Sequence, residues 1–250
     1  MIDTISIVRE TDRWLVVDKP GGIPTVPLDA QHRDEPTLLS QLARDYPEVA
    51  LPMGRKACEG GVLHRLDTAT CGLVLVARDR QAFAFLDKAQ RENRFIKTYT
   101  AGSSDCTFLE GFPPFPGCHD LADGSPREIA SGFRSYGPGR KAVRPLTACS
   151  SDVSMAKGGQ QEYKTTVRLM GSGYLGEKLF VCRLYKGFRH QVRCHLAWAG
   201  YPLVGDALYG GQVSNTGLHL VSVTLEFPDP TTGLIQSIGL EELPGWAVSR

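Results

Sequence analysis

Gly72-Leu-Val-Leu-Val-Ala77 is an unbroken apolar run that follows directly on a polar turn, Asp67-Thr68-Ala69-Thr70. A run of this length reads as a strand, and since neither of its alternating faces is polar it belongs in a sheet covered on both sides. The turn before it is therefore mounted on the end of a rigid element, a position where reactive side chains are often carried.

The rest of the chain supplies partners for that strand. Trp14 to Val17 is a short apolar strand stopped by Lys19-Pro20-Gly21-Gly22, where proline and glycine end regular structure. Thr37 to Asp45 places Leu38, Leu39, Leu42 and Ala43 at helical spacing, and Tyr46-Pro47 closes it. Asp79 is a candidate N-cap for a helix with Ala82, Phe83, Leu86 and Ala89 on one face. Phe95 to Thr100, Glu162 to Leu169, Leu179 to Leu184 and Leu218 to Phe227 read as further strands, and Gln191 to Trp198 as the last helix. Several strands are joined without room for a crossover helix, so the sheet cannot be all parallel. The expected fold is α+β, a mixed and largely antiparallel central sheet flanked by helices and loops.

Two stretches read as inserted loops: Gly111 to Pro116, whose prolines remove ladder donors, and Cys149 to Gly159, which is mostly polar or small. Strand-like segments lie on both sides of each, so residues 1–250 are expected to form one continuous catalytic domain.

Composition narrows the classes. The chain has 250 residues, 42% hydrophobic and 22% charged, and no window approaches the ~18 apolar residues that span a bilayer. No targeting segment is visible at Met1, so the cytoplasm is the default expectation. The seven cysteines are scattered without a C-x-x-C pair and read as reduced thiols.

The net charge is only +1, but it is unevenly spread. Arg134, Arg140, Lys141, Arg144, Lys157, Lys164 and Arg168 face only Asp152 and Glu162 in the same stretch, and Arg183, Lys186, Arg189 and Arg193 face no acid before His195. Such clustering is compatible with a basic face for phosphates or with ordinary solvated charge.

Two constellations carry possible chemistry. The first is Gly61-Val-Leu-His64-Arg65-Leu66-Asp67, which sets a carboxylate in the turn before the apolar run. On physics alone, Asp67 is either a reactive group or a turn cap. The second is Lys186-Gly-Phe-Arg189-His190-Gln191-Val-Arg193-Cys-His195-Leu196, in which helical spacing groups His190, Arg193 and Leu196 or Ala197 on one face. An arginine so placed can hold a carboxylate by two parallel bonds; the alternative is a basic helix start exposed to water, against the helix dipole.

Together these segments resemble the RluA-type RNA pseudouridine synthases. His64-Arg65-Leu66-Asp67-x-x-Thr70-x-Gly72-Leu73 is similar to the family's aspartate motif, and Val17-Asp18-Lys19-Pro20-Gly21-Gly22 with Pro24 to its first motif. Lys97-Thr98-Tyr99-Thr100-Ala101 resembles the strand bearing the active-site tyrosine. His190 to Leu196, followed by Gly200-Tyr-Pro-Leu-Val-Gly205-Asp206-x-Leu208-Tyr209-Gly210, resembles the third motif and its tail. Order and spacing agree from about Ile7 to Phe227. Cys71 stands where the family usually has serine, and Phe188 where it usually has arginine, with Arg189 one place later.

The resemblance implies the pseudouridine synthase fold and an isomerase that detaches uracil from C1′ of its ribose and reattaches it through C5. It assigns the catalytic carboxylate to Asp67, attacking C1′ or C6, with Arg193 paired to it and Tyr99 against the base. Arg65 fills the vacated stack or holds a phosphate, His64 orders the loop, and Arg65, His64, Lys186, Arg189 and His190 take part in RNA binding. No metal or organic cofactor is implied. The expected partner is ribosomal or transfer RNA, gripped by a monomeric catalytic domain with no preceding RNA-binding domain. Competing readings are a metal-dependent hydrolase using His64, Asp67, His190 and His195, a non-catalytic RNA-binding protein on the same scaffold, and a cysteine nucleophile at Cys71 or Cys194.

Overall fold

A computed structural model describes residues 5–32, 35–54, 56–104, 109–117, 121, 123–147, 150, 161–173 and 176–248. The second predicted loop, Cys149 to Gly159, falls almost wholly outside these. In chain order the elements are β1 (Ser6–Glu10), β2 (Trp14–Lys19), α1 (Leu38–Leu42), β3 (Cys71–Ala77), α2 (Arg80–Arg91), β4 (Ile96–Ser103), β5 (Arg127–Tyr136), β6 (Ala142–Leu146), β7 (Tyr163–Ser172), β8 (Lys178–Leu184), α3 (Gln191–Trp198), β9 (Leu220–Pro228) and β10 (Ile235–Gly239). Two compact units emerge: Met1–Thr98 with Val221–Glu242, and Tyr99–Leu220 with Leu243–Arg250.

In the first unit β3 lies between β2, its antiparallel partner, and β9, its parallel one. β1 pairs with β2 and β10 with β9, both antiparallel. Every residue of β3 after Cys71 is buried, as the apolar run requires. Asp79 caps α2 by accepting from the amides of Gln81 and Ala82, and Ala82, Leu86 and Ala89 are the buried face. Thr37 caps the short α1 in a reciprocal exchange with Ser40. The core gathers Trp14, Leu73, Leu75, Leu86, Phe95 and Phe227, with the rings of Trp14 and Phe227 edge to face at 5.0 Å. The Trp14 indole N–H donates to Asp229 at 2.9 Å, so burying that ring leaves no polar atom unpaired.

The second unit orders its strands β4-β8-β7-β5-β6. β5 pairs antiparallel with both β6 and β7, and β7 with β8. Helix α3 packs against β6 and β7, and all eight of its residues are buried. Its core is Phe133, Val143, Cys194, Ala197 and Tyr209, with Phe188 packed against it.

The α+β class and the mostly antiparallel pairing agree with the expectation. Strands β1, β5, β6 and β10 were not foreseen. β5 dilutes its apolar alternation with Ala130, Ser131 and Gly132, and β6 contains Pro145, which a proline-based reading demotes. Pro145 is tolerated because β6 ends the strand order, where the missing N–H breaks no ladder.

Candidate active site

The Asp67 turn is built by backbone hydrogen bonds to the Lys19-Pro20-Gly21-Gly22 segment and its continuation. The Thr25 hydroxyl donates to Leu66 O at 2.8 Å and accepts from Leu66 N–H at 3.0 Å. Gly22 N–H donates to Thr68 O at 2.8 Å, and Thr70 N–H to Asp67 O at 3.0 Å. Lys19 is fully buried, and its ammonium bridges both segments: it donates to Pro20 O at 2.8 Å, Ile23 O at 2.9 Å and Thr68 O at 3.3 Å. Burial pulls its pKa down to about 8, opposed by the charges of Cys71, Asp67 and Asp18. Gly72 leaves the turn at φ +106, and a Cβ there would meet Ser222 O at 2.3 Å, so only glycine lets β3 approach β9 this closely. The backbone around Asp67 is thus fixed on both sides while its side chain stays partly exposed.

His64 and Arg65 immediately precede this turn. His64 reaches Leu73 O through Nε2 at 3.3 Å and sets its ring edge to face against Phe95 at 5.1 Å. Burial first, and then the charge of Lys97, lower its pKa to about 3, so its imidazole is neutral at physiological pH. It ties the residue before the turn to β3 and carries no positive charge there. Arg65 is exposed and pairs with Glu59 at 2.8 Å. Lys97 is buried beside Phe95, its ammonium 4.4 Å from the ring centroid, and burial lowers its pKa to about 7.

The second unit holds the remaining expected residues. Tyr99 is buried on β4. Arg193, in the first turn of α3, forms a two-pronged ion pair with Asp206, Nε to Oδ2 at 2.7 Å and Nη2 to Oδ1 at 2.8 Å. Both side chains are buried, and the guanidinium also lies 5.3 Å from the Tyr209 ring centroid. The Tyr209 hydroxyl accepts from Val143 N–H at 2.9 Å and meets His190 Nδ1 at 3.1 Å. His190 sits in the left-handed region, φ 57, so the chain turns sharply into the helix there. The exposed basic helix start is corrected: Arg193 is buried because Asp206 neutralises it and Tyr209 covers it.

The flanking residues have defined positions too. Gln191 donates to Lys164 O at 3.0 Å and Thr165 Oγ1 at 2.9 Å and accepts from Phe188 N–H at 2.9 Å, tying the helix start to β7. Phe188 stacks on Phe133, rings 5.0 Å apart and 7° from parallel. The residue that replaces the usual arginine is therefore a packing residue. Arg189 donates to Arg140 O at 2.8 Å and Ala142 O at 3.2 Å, and Lys186 is partly exposed. His195 uses both ring nitrogens, on Ser131 Oγ at 3.0 Å and Thr165 Oγ1 at 2.9 Å. No group of three or more metal-ligating side chains is found among the described residues. Cys194 is buried, and burial raises its thiol pKa well above the ordinary range.

The structure thus gathers His64, Arg65 and Asp67 on one loop of the first unit, and Lys186, Arg189, His190 and Arg193 around one helix start of the second. Sequence reasoning left Lys19, Asp206 and Tyr209 off the site, although all three lie within the quoted motifs. The signal was there: a lysine before Pro-Gly-Gly and an aspartate before a tyrosine, in segments too polar to be filler.

A family model for RNA pseudouridylate synthase matches residues 13–198. The chain belongs to the RNA pseudouridylate synthase family. It is 32% identical over 204 residues to an uncharacterized RNA pseudouridine synthase of Chloroflexus aurantiacus, covering 81% of this chain and 53% of that protein. It is 30% identical over 230 residues to ribosomal large subunit pseudouridine synthase D of Pseudomonas aeruginosa, covering 90% of this chain and 60% of the relative. The matched segment is thus little more than half of these relatives' length. Among solved structures the fold is shared with human RNA pseudouridylate synthase domain containing 1, with a TM-score of 0.66, 20% identity, and coverage of 97% of this chain and 85% of that one. No helix among the described residues is long and apolar enough to cross a membrane.

Proposed function

We propose that this protein isomerises uridine to pseudouridine in structured RNA, with Asp67 as the nucleophile. The observation that carries the reading is the mounting of Asp67. Its carboxylate is partly exposed on a turn locked by the Thr25 hydroxyl, the Gly22 amide and the buried Lys19 ammonium. A reacting carboxylate requires this combination of access and fixed direction. In the reaction the N1–C1′ bond breaks, a C5–C1′ bond forms, C5 gives up its proton and N1 gains one, so atoms balance without an added reactant. A carboxylate suits the role because it is ionised at neutral pH and forms a reversible adduct.

Arg193 and Tyr99 are proposed to serve the same reaction as catalytic residues, Tyr99 by stacking on the base and sharing in proton transfer. The target base has to leave its stack, at a cost of a few kcal/mol. Arg65 is proposed to fill the gap or hold the flanking phosphate. Lys186, Arg189 and His190 are proposed to contact the RNA, the protein acting as a cytoplasmic monomer. Ribosomal RNA is the first substrate class to test, since a relative at 30% identity carries a ribosomal large subunit name; transfer RNA is the second.

The deciding experiment maps pseudouridine site by site in total RNA from cells lacking the protein, complemented with wild type or Asp67→Asn. Sites that return only with the wild type support the reading and name the substrate. If Asp67→Asn restores them, or if no site depends on the protein, the reading fails.

A further inference from the structure

The second unit's sheet has one face turned to the core and α3, where Ile129, Ser131, Phe133, Thr165, Val167 and Cys182 are buried. The alternate residues make up the other face. Cross-strand register places Arg134 of β5 directly opposite Arg144 of β6 on that face. Lys164 and Arg168 of β7 and Arg183 of β8 share it, since Ala130 pairs with Lys164 and Thr166 with Arg183. Its acidic members are Glu128, paired to Lys164 at 2.8 Å, and Glu162 beside the same lysine. Ala130, Gly132 and Thr166 occupy positions between the basic side chains, and on β6 the buried Ala142 and Leu146 flank Arg144 on the same face.

Two features set this face apart from ordinary solvated charge. Like charges directly opposite on antiparallel strands repel and destabilise the pair. Moreover, Arg134 Nε is buried without an acceptor among the described residues, a donor that folding takes from water and leaves unpaired. An anion seated between the two guanidiniums removes the repulsion. Beside them, Tyr136 is 37% exposed, and the Arg144 guanidinium lies 4.8 Å from its ring centroid. A basic sheet face with an exposed aromatic at its edge suits a nucleic-acid backbone with a base stacked alongside. With a net charge of only +1, such a face arises by local placement rather than bulk charge.

We propose that this open face of β5, β6, β7 and β8 is a second RNA-contacting surface, where Arg134 and Arg144 clamp a phosphate of the substrate strand and Tyr136 stacks a base. It rests on the reading of the protein as an RNA-modifying enzyme and extends the RNA footprint to residues outside the quoted motifs.

The test measures binding of a short uridine-containing RNA hairpin against salt concentration, for wild type, Arg134→Ala/Arg144→Ala, Arg134→Lys/Arg144→Lys and Arg91→Ala/Arg94→Ala. The last pair removes the same charge from the end of α2 and the residues just after it, where Asp87 and Glu92 already neutralise it. The alanine pair on the sheet is expected to weaken binding roughly tenfold or more and to reduce the log–log salt slope by about one to two. The lysine pair keeps most of the salt slope, the α2 pair binds like wild type, and thermal stability of the alanine pair does not fall, because repulsion is relieved. Unchanged hairpin binding by the alanine pair, or an equal loss in the α2 pair, overturns the proposal. If wild type isomerises RNA normally while the alanine pair binds unchanged, this inference alone fails; if wild type neither binds nor isomerises RNA, both readings fail.

Discussion

The Asp67 turn and the Arg193 helix fix their functional side chains by opposite means. Around Asp67 the restraints are backbone atoms: the carbonyls of Leu66 and Thr68 are gripped by one hydroxyl, one amide and one ammonium. Around Arg193 they are side chains: Asp206 forks onto the guanidinium, Tyr209 covers it, and the Tyr209 hydroxyl meets His190. A backbone clamp leaves the side chain it carries partly open to a substrate. A side-chain network buries the group it holds, and it fails as a unit because each buried charge depends on its partner.

The largest expected effect is at Asp206. Asp206→Ala leaves a buried guanidinium without its bidentate partner and should cost about 3–5 kcal/mol of unfolding free energy, measured by urea denaturation. A loss under about 1 kcal/mol would mean that water or another acceptor replaces the carboxylate, and the network would not be the determinant it is taken for. Lys19→Met keeps roughly the length of the side chain but removes the ammonium from the carbonyls of Pro20 and Ile23, leaving Thr68 O only its Gly22 amide, which should cost about 1–3 kcal/mol. If Lys19 positions the turn, turnover at saturating RNA should also drop well beyond any change in KM; equal losses in stability and binding with normal turnover would reduce it to a core residue.

Acid acts on both regions, since His64 and His195 are each neutral in the fold with a lowered pKa. His195, fully buried with its pKa lowered to about 3, and a free imidazole near 6.5 differ in when they take a proton. As pH falls from about 6.5 to 3 the unfolded chain protonates first, so this histidine removes stability at up to about 1.4 kcal/mol per pH unit within that window. His195→Gln should flatten the pH dependence of unfolding there, and an unchanged slope would show that the ring is not neutral in the fold. The smallest effect on stability is expected at Arg65, whose pair with Glu59 is exposed: Arg65→Ala should change it by less than about 1 kcal/mol. Single-turnover isomerisation should nevertheless slow, and a normal rate would remove its proposed part in base extrusion.

Much of the first region was legible in the chain. The apolar run of β3, the polar turn before it, the Asp79 cap and the face of α2 all follow from local spacing and capping chemistry, and α3 spans the residues expected of it. The basic residues at the start of α3 were legible only as types. Whether Arg193 faced water or an acid depended on Asp206, thirteen positions later, and no periodicity links the two. Phe188 reads as a departure from a motif until Phe133 is seen stacked on it from a strand that the sequence did not reveal.

By itself the sequence determined the elements whose signal is local: the apolar run that demands a covered strand, the proline and glycine stops, the caps, and the ordered motifs that mark the family. Only the tertiary structure decided which polar groups are buried against which partners, among them Lys19 under the Asp67 turn, Asp206 on Arg193, and two arginines facing each other across β5 and β6. The physical reason is that propensity and periodicity act over a few residues. The cost of burying a charge, by contrast, is settled by whatever group folding brings within 3 Å of it, however distant in the chain.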